Sequence, residues 1–154
     1  PAPPRAYRRH SPQRPGRENT MSLMSAPIIT GFYAAVMGLL LLWLDVLVFR
    51  ERGKTGISLY DGGNKELATA IRKQGNFTEH VPLVLVLMAL VELNGAPAWL
   101  INASGVALVV GRILHPLGLD FEKMSNPLRA IGVVLTLLVI LVLSAYGLYQ
   151  YFES

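Results

Sequence analysis

The sequence predicts an all-α integral membrane four-helix bundle. Three observations carry that prediction. The chain is 52% hydrophobic, with a mean hydropathy of +0.41. Only 16% of its 154 residues are charged, against about 25% in soluble domains. Four apolar runs approach or exceed the roughly 20 residues that a spanning helix needs.

The chain divides before the first run. Residues 1–20, PAPPRAYRRHSPQRPGRENT, hold five of the fourteen Lys/Arg and one of the ten Asp/Glu, which leaves nine of each for the remainder. The net charge of +4 therefore belongs to a Pro/Arg-rich tail. The body is neutral, so no nucleic acid is expected as a partner. The tail has no apolar period with which to offset its ordering entropy and is predicted to be disordered. It also lacks the apolar core of a signal peptide. Met21 or Met24 is the expected natural start, and residues 21–154 form one four-span domain.

The first span covers about 27–49, PIITGFYAAVMGLLLLWLDVLVF, apolar nearly all round as a lipid-facing helix should be. A loop follows whose glycines, Gly53, Gly56, Gly62 and Gly63, predict flexibility. The second span covers about 64–93: Asn64 is a plausible N-cap, Glu66 falls in the first turn, and the amphipathic KELATAIRK leads into the apolar FTEHVPLVLVLMALVEL. Asn94-Gly95-Ala96-Pro97 forms a short turn, Gly ending one helix and Pro opening the next. The third span covers about 97–118 and the fourth about 127–152, opened by Asn126-Pro127. Pro82 and Pro116 lie within apolar helices, where neighbouring groups can satisfy the freed carbonyls. Loop one carries Arg50, Arg52, Lys54 and Lys65 and loop two no charge, so the positive-inside rule puts loops one and three in the cytoplasm. Tyr146, Tyr149, Tyr151 and Phe152 read as an interfacial aromatic belt.

Ionisable groups inside spans are costly and are usually paired or functional. Arg72, Asn76 and Glu79 recur at i, i+4 and i+7, one face of helix two. A guanidinium, an amide and a carboxylate in a row can receive a zwitterionic ligand; they can equally form an internal ion pair and helix–helix glue. Arg112 and His115 sit at i, i+3 near the end of span three, facing a pocket or snorkelling to headgroups. Arg129, in the first turn of span four, opposes the helix dipole; its expected partner is Asp120, Glu122, a lipid phosphate or a substrate anion. Asp45 is expected to pair with an arginine of another helix, and Glu92 to reach the interface at the far end of helix two. There is no cysteine, which excludes disulfides, thiolate metal sites and a cysteine nucleophile. No zinc motif, phosphate loop or Ser–His–Asp signature is present, and no metal is expected.

RKQGNFTEHVPLVL (residues 72–85) resembles the second-helix motif of the MAPEG family, membrane-associated proteins in eicosanoid and glutathione metabolism. Arg72, Asn76, Glu79 and Pro82 match in type and spacing. VVGRILHPLG resembles the family's third-helix Arg-x-x-His segment, and NPLRA its Pro-x-Arg opening of helix four. The resemblance covers roughly residues 28–152. It implies a homotrimer that binds glutathione between subunits and acts on a hydrophobic small molecule in the lipid bilayer; within the family the sequence looks most similar to a bacterial inner-membrane branch. Carried over by position, Arg72, Asn76, Glu79 and His80 bind glutathione, His80 standing where several members have Tyr. Arg112 and His115 line the same pocket, and Arg52, with Arg50 as the alternative register, matches an arginine at the end of helix one and joins the glutathione-binding set. Arg129 matches the arginine that stabilises the glutathione thiolate, the catalytic role.

A free thiol has a pKa of about 8.5, and a cation beside it in a partly desolvated site raises the thiolate fraction at neutral pH. The expected activity is thus that of a glutathione-dependent transferase or peroxidase acting on electrophiles or lipid hydroperoxides. Two departures, Leu117-Gly118-Leu119 where the eicosanoid branch has a Tyr and Ala130 where one branch has Ser, point away from specialised eicosanoid chemistry. The alternative is a non-catalytic trimeric membrane protein whose polar face serves assembly or binds another small anion. A transporter is disfavoured by the single polar cluster without paired broken helices.

Overall fold

The computed structural model describes residues 26–123 and 126–153. The basic tail and the expected start at Met21 or Met24 lie outside the described residues. Four helices follow one another: α1 (Ile28–Thr55), α2 (Lys65–Leu93), α3 (Ala98–Gly118) and α4 (Pro127–Glu153). Each is long and apolar enough to cross a membrane, and no strand occurs among the described residues. The chain is an all-α membrane four-helix bundle.

The apolar part of α1 ends at Phe49, but the helix runs on to Thr55 and takes Gly53 out of the expected loop. Arg52 and Lys54 in its last turn oppose the partial negative charge of the C-terminal carbonyls. Gly56, at φ 69°, closes the helix by donating its N–H to Arg52 O at 2.8 Å. That left-handed conformation is why a glycine stops the helix here.

Pro27 offers α1 no side-chain cap. Glu92, at the end of α2, supplies one instead. Its Oε1 accepts from Ile29 N at 2.9 Å. Its Oε2 accepts from Thr30 N at 2.8 Å and from Thr30 Oγ1 at 2.7 Å. A carboxylate here satisfies orphan donors and favours the helix dipole. Glu92 therefore serves as a cap between helices.

Asn64 caps α2 as its sequence predicts, accepting from Leu67 N at 2.8 Å. At the other end Gly95, at φ 85°, makes the turn into α3. Gln150 of α4 locks that turn by donating to Val91 O and Asn94 O at 3.2 and 3.1 Å. At the opposite end of the bundle, loops one and three meet: Lys65 Nζ lies 3.0 Å from Glu122 Oε1 and 5.5 Å from the centre of the Phe121 ring.

The core runs the length of the bundle through Met37, Leu44, Val84, Met88, Ile101, Leu108 and Leu143, all at most 2% exposed. The closest contact is between α3 and α4. A Cβ on Gly132 would fall 2.6 Å from Gly111 O and 2.8 Å from His115 N. The two backbones thus meet where only glycine fits, the small-residue contact by which membrane helices pack without a hydrophobic drive. Outward faces carry large apolar side chains such as Leu39, Phe49 and Leu141, each at least 66% exposed, as contact with lipid tails requires.

Candidate functional site

The polar residues of the loop-one half form three adjoining groups. The first is centred on a buried guanidinium. Arg112 is 3% exposed. Its Nη1 donates to Asn76 Oδ1 at 3.0 Å and to Asn76 O at 3.3 Å. Its Nε donates to Thr136 Oγ1 at 3.1 Å, and Nη2 reaches the same oxygen. Thr136 Oγ1 in turn donates to Gly132 O at 2.9 Å. His80 Nδ1 lies 3.0 Å from Asn76 O; a carbonyl only accepts, so this contact requires a proton on Nδ1. Asn76, His80, Arg112 and Thr136, with Val133 and Leu137, line a niche of about 30 Å³, above the roughly 10–15 Å³ that a single water requires.

The second group lies on the outside of α2. Arg72 Nη1 and Nη2 donate to Glu79 Oε1 and Oε2 at 2.7 and 3.1 Å, a bidentate pair. Their side chains are 57% and 49% exposed. The i, i+7 spacing thus brings together a cation and an anion that satisfy each other. Among the described residues Asp45 pairs with no arginine; it accepts instead from Gln74 Nε2 at 2.9 Å.

The third group is a cleft of about 260 Å³ lined by Arg72 and Arg129, with Ala68, Thr69 and the loop-three residues Leu119, Asp120 and Phe121. Gly118 makes it possible: a Cβ there would collide with Arg129 N, so the end of α3 lies directly on the first turn of α4. Asn126 Oδ1 accepts from Leu128 N at 2.9 Å and fixes that turn. Glu122, one expected partner of Arg129, is engaged by Lys65.

The remaining sequence-predicted residues divide. His115 is 3% exposed and sits against Gly132. Arg52 lines neither the cleft nor the niche; its Nη1 donates to Ile57 O, Ser58 O and Tyr60 O at 3.1, 2.9 and 3.3 Å. Arg50 is exposed at the end of α1. Thr136, Gly132 and Gly111 belong to the buried group, and sequence reasoning missed them. A signal was present: Arg129, Gly132 and Thr136 recur at i, i+3 and i+7 on one face of α4.

Among the described residues, no group of three or more His, Asp or Glu could hold a metal ion. Chemically, the arrangement offers two guanidinium groups at one cleft, a carboxylate one step away and an apolar wall of Leu119 and Phe121.

The MAPEG family model matches residues 30–149. The chain is also similar to inner membrane protein YecN of Escherichia coli strain K12. The two are 37% identical over 91 residues, which cover 59% of this chain and 70% of that protein. YecN of Escherichia coli O6:H1 matches to the same extent.

Proposed function

Because the chain belongs to the MAPEG family, we propose that it is a glutathione-dependent membrane transferase or peroxidase. The observation that supports this reading is the cleft shared by Arg72 and Arg129. The first belongs to the recognition stripe on α2, and the second is the cation that would face the sulfur. Arg72, Asn76, Glu79 and His80, with Arg112 and His115 behind them, bind the tripeptide. Arg129 stabilises the thiolate, and the thiol proton leaves to solvent. The sulfur lone pair forms a C–S bond at the electrophile while the leaving group departs with its bonding electrons. With a hydroperoxide, two glutathiones become one disulfide, and the products are an alcohol and water.

The same reading makes the protein a homotrimer. Arg72 and Glu79 are half exposed on a helix otherwise suited to a membrane, and a second copy would cover them. The relatives are named inner membrane proteins, and this chain, with four span-length helices, is assigned to a bacterial inner membrane as a multi-pass protein. Loops one and three then face the cytoplasm by their Lys/Arg content.

A second reading is favoured by one observation. Arg72 and Glu79 already satisfy each other bidentately, as they would if the stripe served assembly alone.

The test is calorimetric glutathione binding in detergent, with turnover of a model aryl halide. Wild type is expected to bind at up to millimolar glutathione and to turn over. Glu79→Ala weakens binding at least about tenfold, a loss of ~1.4 kcal/mol. Arg129→Ala binds but slows turnover by about 10²-fold, as loss of one preorganised charge-stabilising donor does. Absence of wild-type binding removes the enzyme reading.

A further inference from the structure

Loop one contains a feature that the glutathione reading does not use. Leu59 and Tyr60 are adjacent, and they are 74% and 84% exposed. Nothing about the local chain is slack. Tyr60 is at φ 54°, the one non-glycine residue with positive φ among the described residues. An aromatic residue adopts that conformation only when its surroundings enforce it. The enforcement is visible. The Arg52 guanidinium gathers the carbonyls of Ile57, Ser58 and Tyr60, which would otherwise point to solvent at the end of α1. Ile57, two residues before Leu59, turns inward onto Val48, Leu67 and Ala70. Gly62 gives that isoleucine room: a Cβ there would fall 2.7 Å from Ile57 Cδ1. A clamp, an inward anchor and a glycine together fix a short loop so that Leu59 and Tyr60 point away from the protein.

The depth of the loop identifies what they meet. Val48 lies in the last apolar turn of α1, beside Phe49, which is 70% exposed on the lipid-facing side. Ile57 packs against the cluster that Val48 forms with Leu67 and Ala70, so the loop is tied back toward the end of the apolar span. Leu59 and Tyr60, both exposed on this loop, are thus held near the boundary between acyl chains and headgroups. Arg50, exposed and next to Phe49 in the chain, stands where lipid phosphates are the complementary charge, whereas Lys54, also exposed, lies a further turn along α1. Tyr suits this zone, with an apolar ring and a hydroxyl that seeks the wet side.

From this we infer that loop one is a built membrane-interface anchor. Leu59 and Tyr60 insert into the headgroup region of the leaflet on the loop-one side, and Arg52 is the positioning residue that shapes the loop. Amphipathic interfacial elements enter to a depth of about 5–10 Å, which two side chains and no more than one turn of chain can reach. The inference is independent of glutathione binding.

The chain has no cysteine, so single-cysteine spin labels can be placed without altering the background. Labels at Leu59→Cys and Tyr60→Cys, and a reference at Lys54→Cys, are measured in vesicles of phosphatidylethanolamine and phosphatidylglycerol. The readout is collision with oxygen, which concentrates in lipid, against collision with a water-soluble nickel chelate. Labels 59 and 60 are expected to show an oxygen-to-nickel ratio several-fold above that of label 54. Equal ratios, meaning a loop in water, overturn the inference. So does low collision with both reagents, which would mean that a second copy or another protein segment covers the loop. In Arg52→Gln the ratio at label 59 falls toward the reference value; an unchanged ratio overturns the role of the clamp. If that variant fails to fold, the labels on the otherwise unaltered chain decide alone.

Discussion

Arg112 is a buried cation whose hydrogen-bond partners among the described residues, Asn76 and Thr136, are neutral. A charge taken out of water and not paired with a carboxylate depends on its hydrogen bonds. Thr136 takes two of the guanidinium nitrogens on one oxygen. Thr136→Val keeps the shape and removes that oxygen, leaving Nε and Nη2 without it. The expected loss is ~1–3 kcal/mol, read as a lower unfolding midpoint in detergent, whereas Thr136→Ser, which keeps the hydroxyl, loses much less. Equal midpoints for Val and Ser would show that Thr136 is only filler. At this scale the sequence is partly legible. The i, i+4, i+7 rule puts Arg72, Asn76 and Glu79 on one face of α2, and they lie there. It cannot say that Asn76 turns inward to Arg112 while Arg72 and Glu79 bind each other outside. That choice depends on how α2 is rotated against α3 and α4, which one helix's own periodicity does not contain.

The elements were legible where hydropathy decides and illegible where a remote side chain does. Asn64 and its bond to Leu67 can be read from a local pattern. Glu92 cannot: the backbone groups that it caps are 62 and 63 residues away in the chain. Helix α1 likewise outlasts its apolar stretch because Gly56, not the first arginine, stops it. Since Glu92 closes the start of α1 and sits at the end of α2, it couples the two termini across the bundle. Glu92→Ala is expected to cost ~1–2 kcal/mol, the loss of a good N-cap together with a favourable dipole charge. The effect should be local, so hydrogen exchange of the first turn of α1 rises while the amides around Gly111 and Gly132 stay protected. Uniform deprotection of the whole bundle would show that Glu92 is a global staple rather than a cap.

At the scale of the molecule the open issue is why a half-exposed ion pair stands on the outside of a membrane bundle. In lipid, Arg72 and Glu79 would be an expensive exterior, so the surface calls for a cover. Both readings of function supply a second copy of the chain, but they assign different work to the pair. If the pair holds copies together, assembly depends on it. If glutathione is its business, the copies hold through apolar faces and the pair opens to receive the ligand's carboxylate and ammonium. The double variant Arg72→Met/Glu79→Met separates the two. Replacing both members of an ion pair by apolar residues of similar size is often neutral for stability, whereas removing one strands a charge. The glutathione reading therefore expects the double variant to remain a particle of about three times the 16.9 kDa chain mass by native mass spectrometry, and to lose glutathione binding. The assembly reading expects it to dissociate. A double variant that stays trimeric and still binds glutathione contradicts both readings and moves the recognition site to the buried Arg112 group.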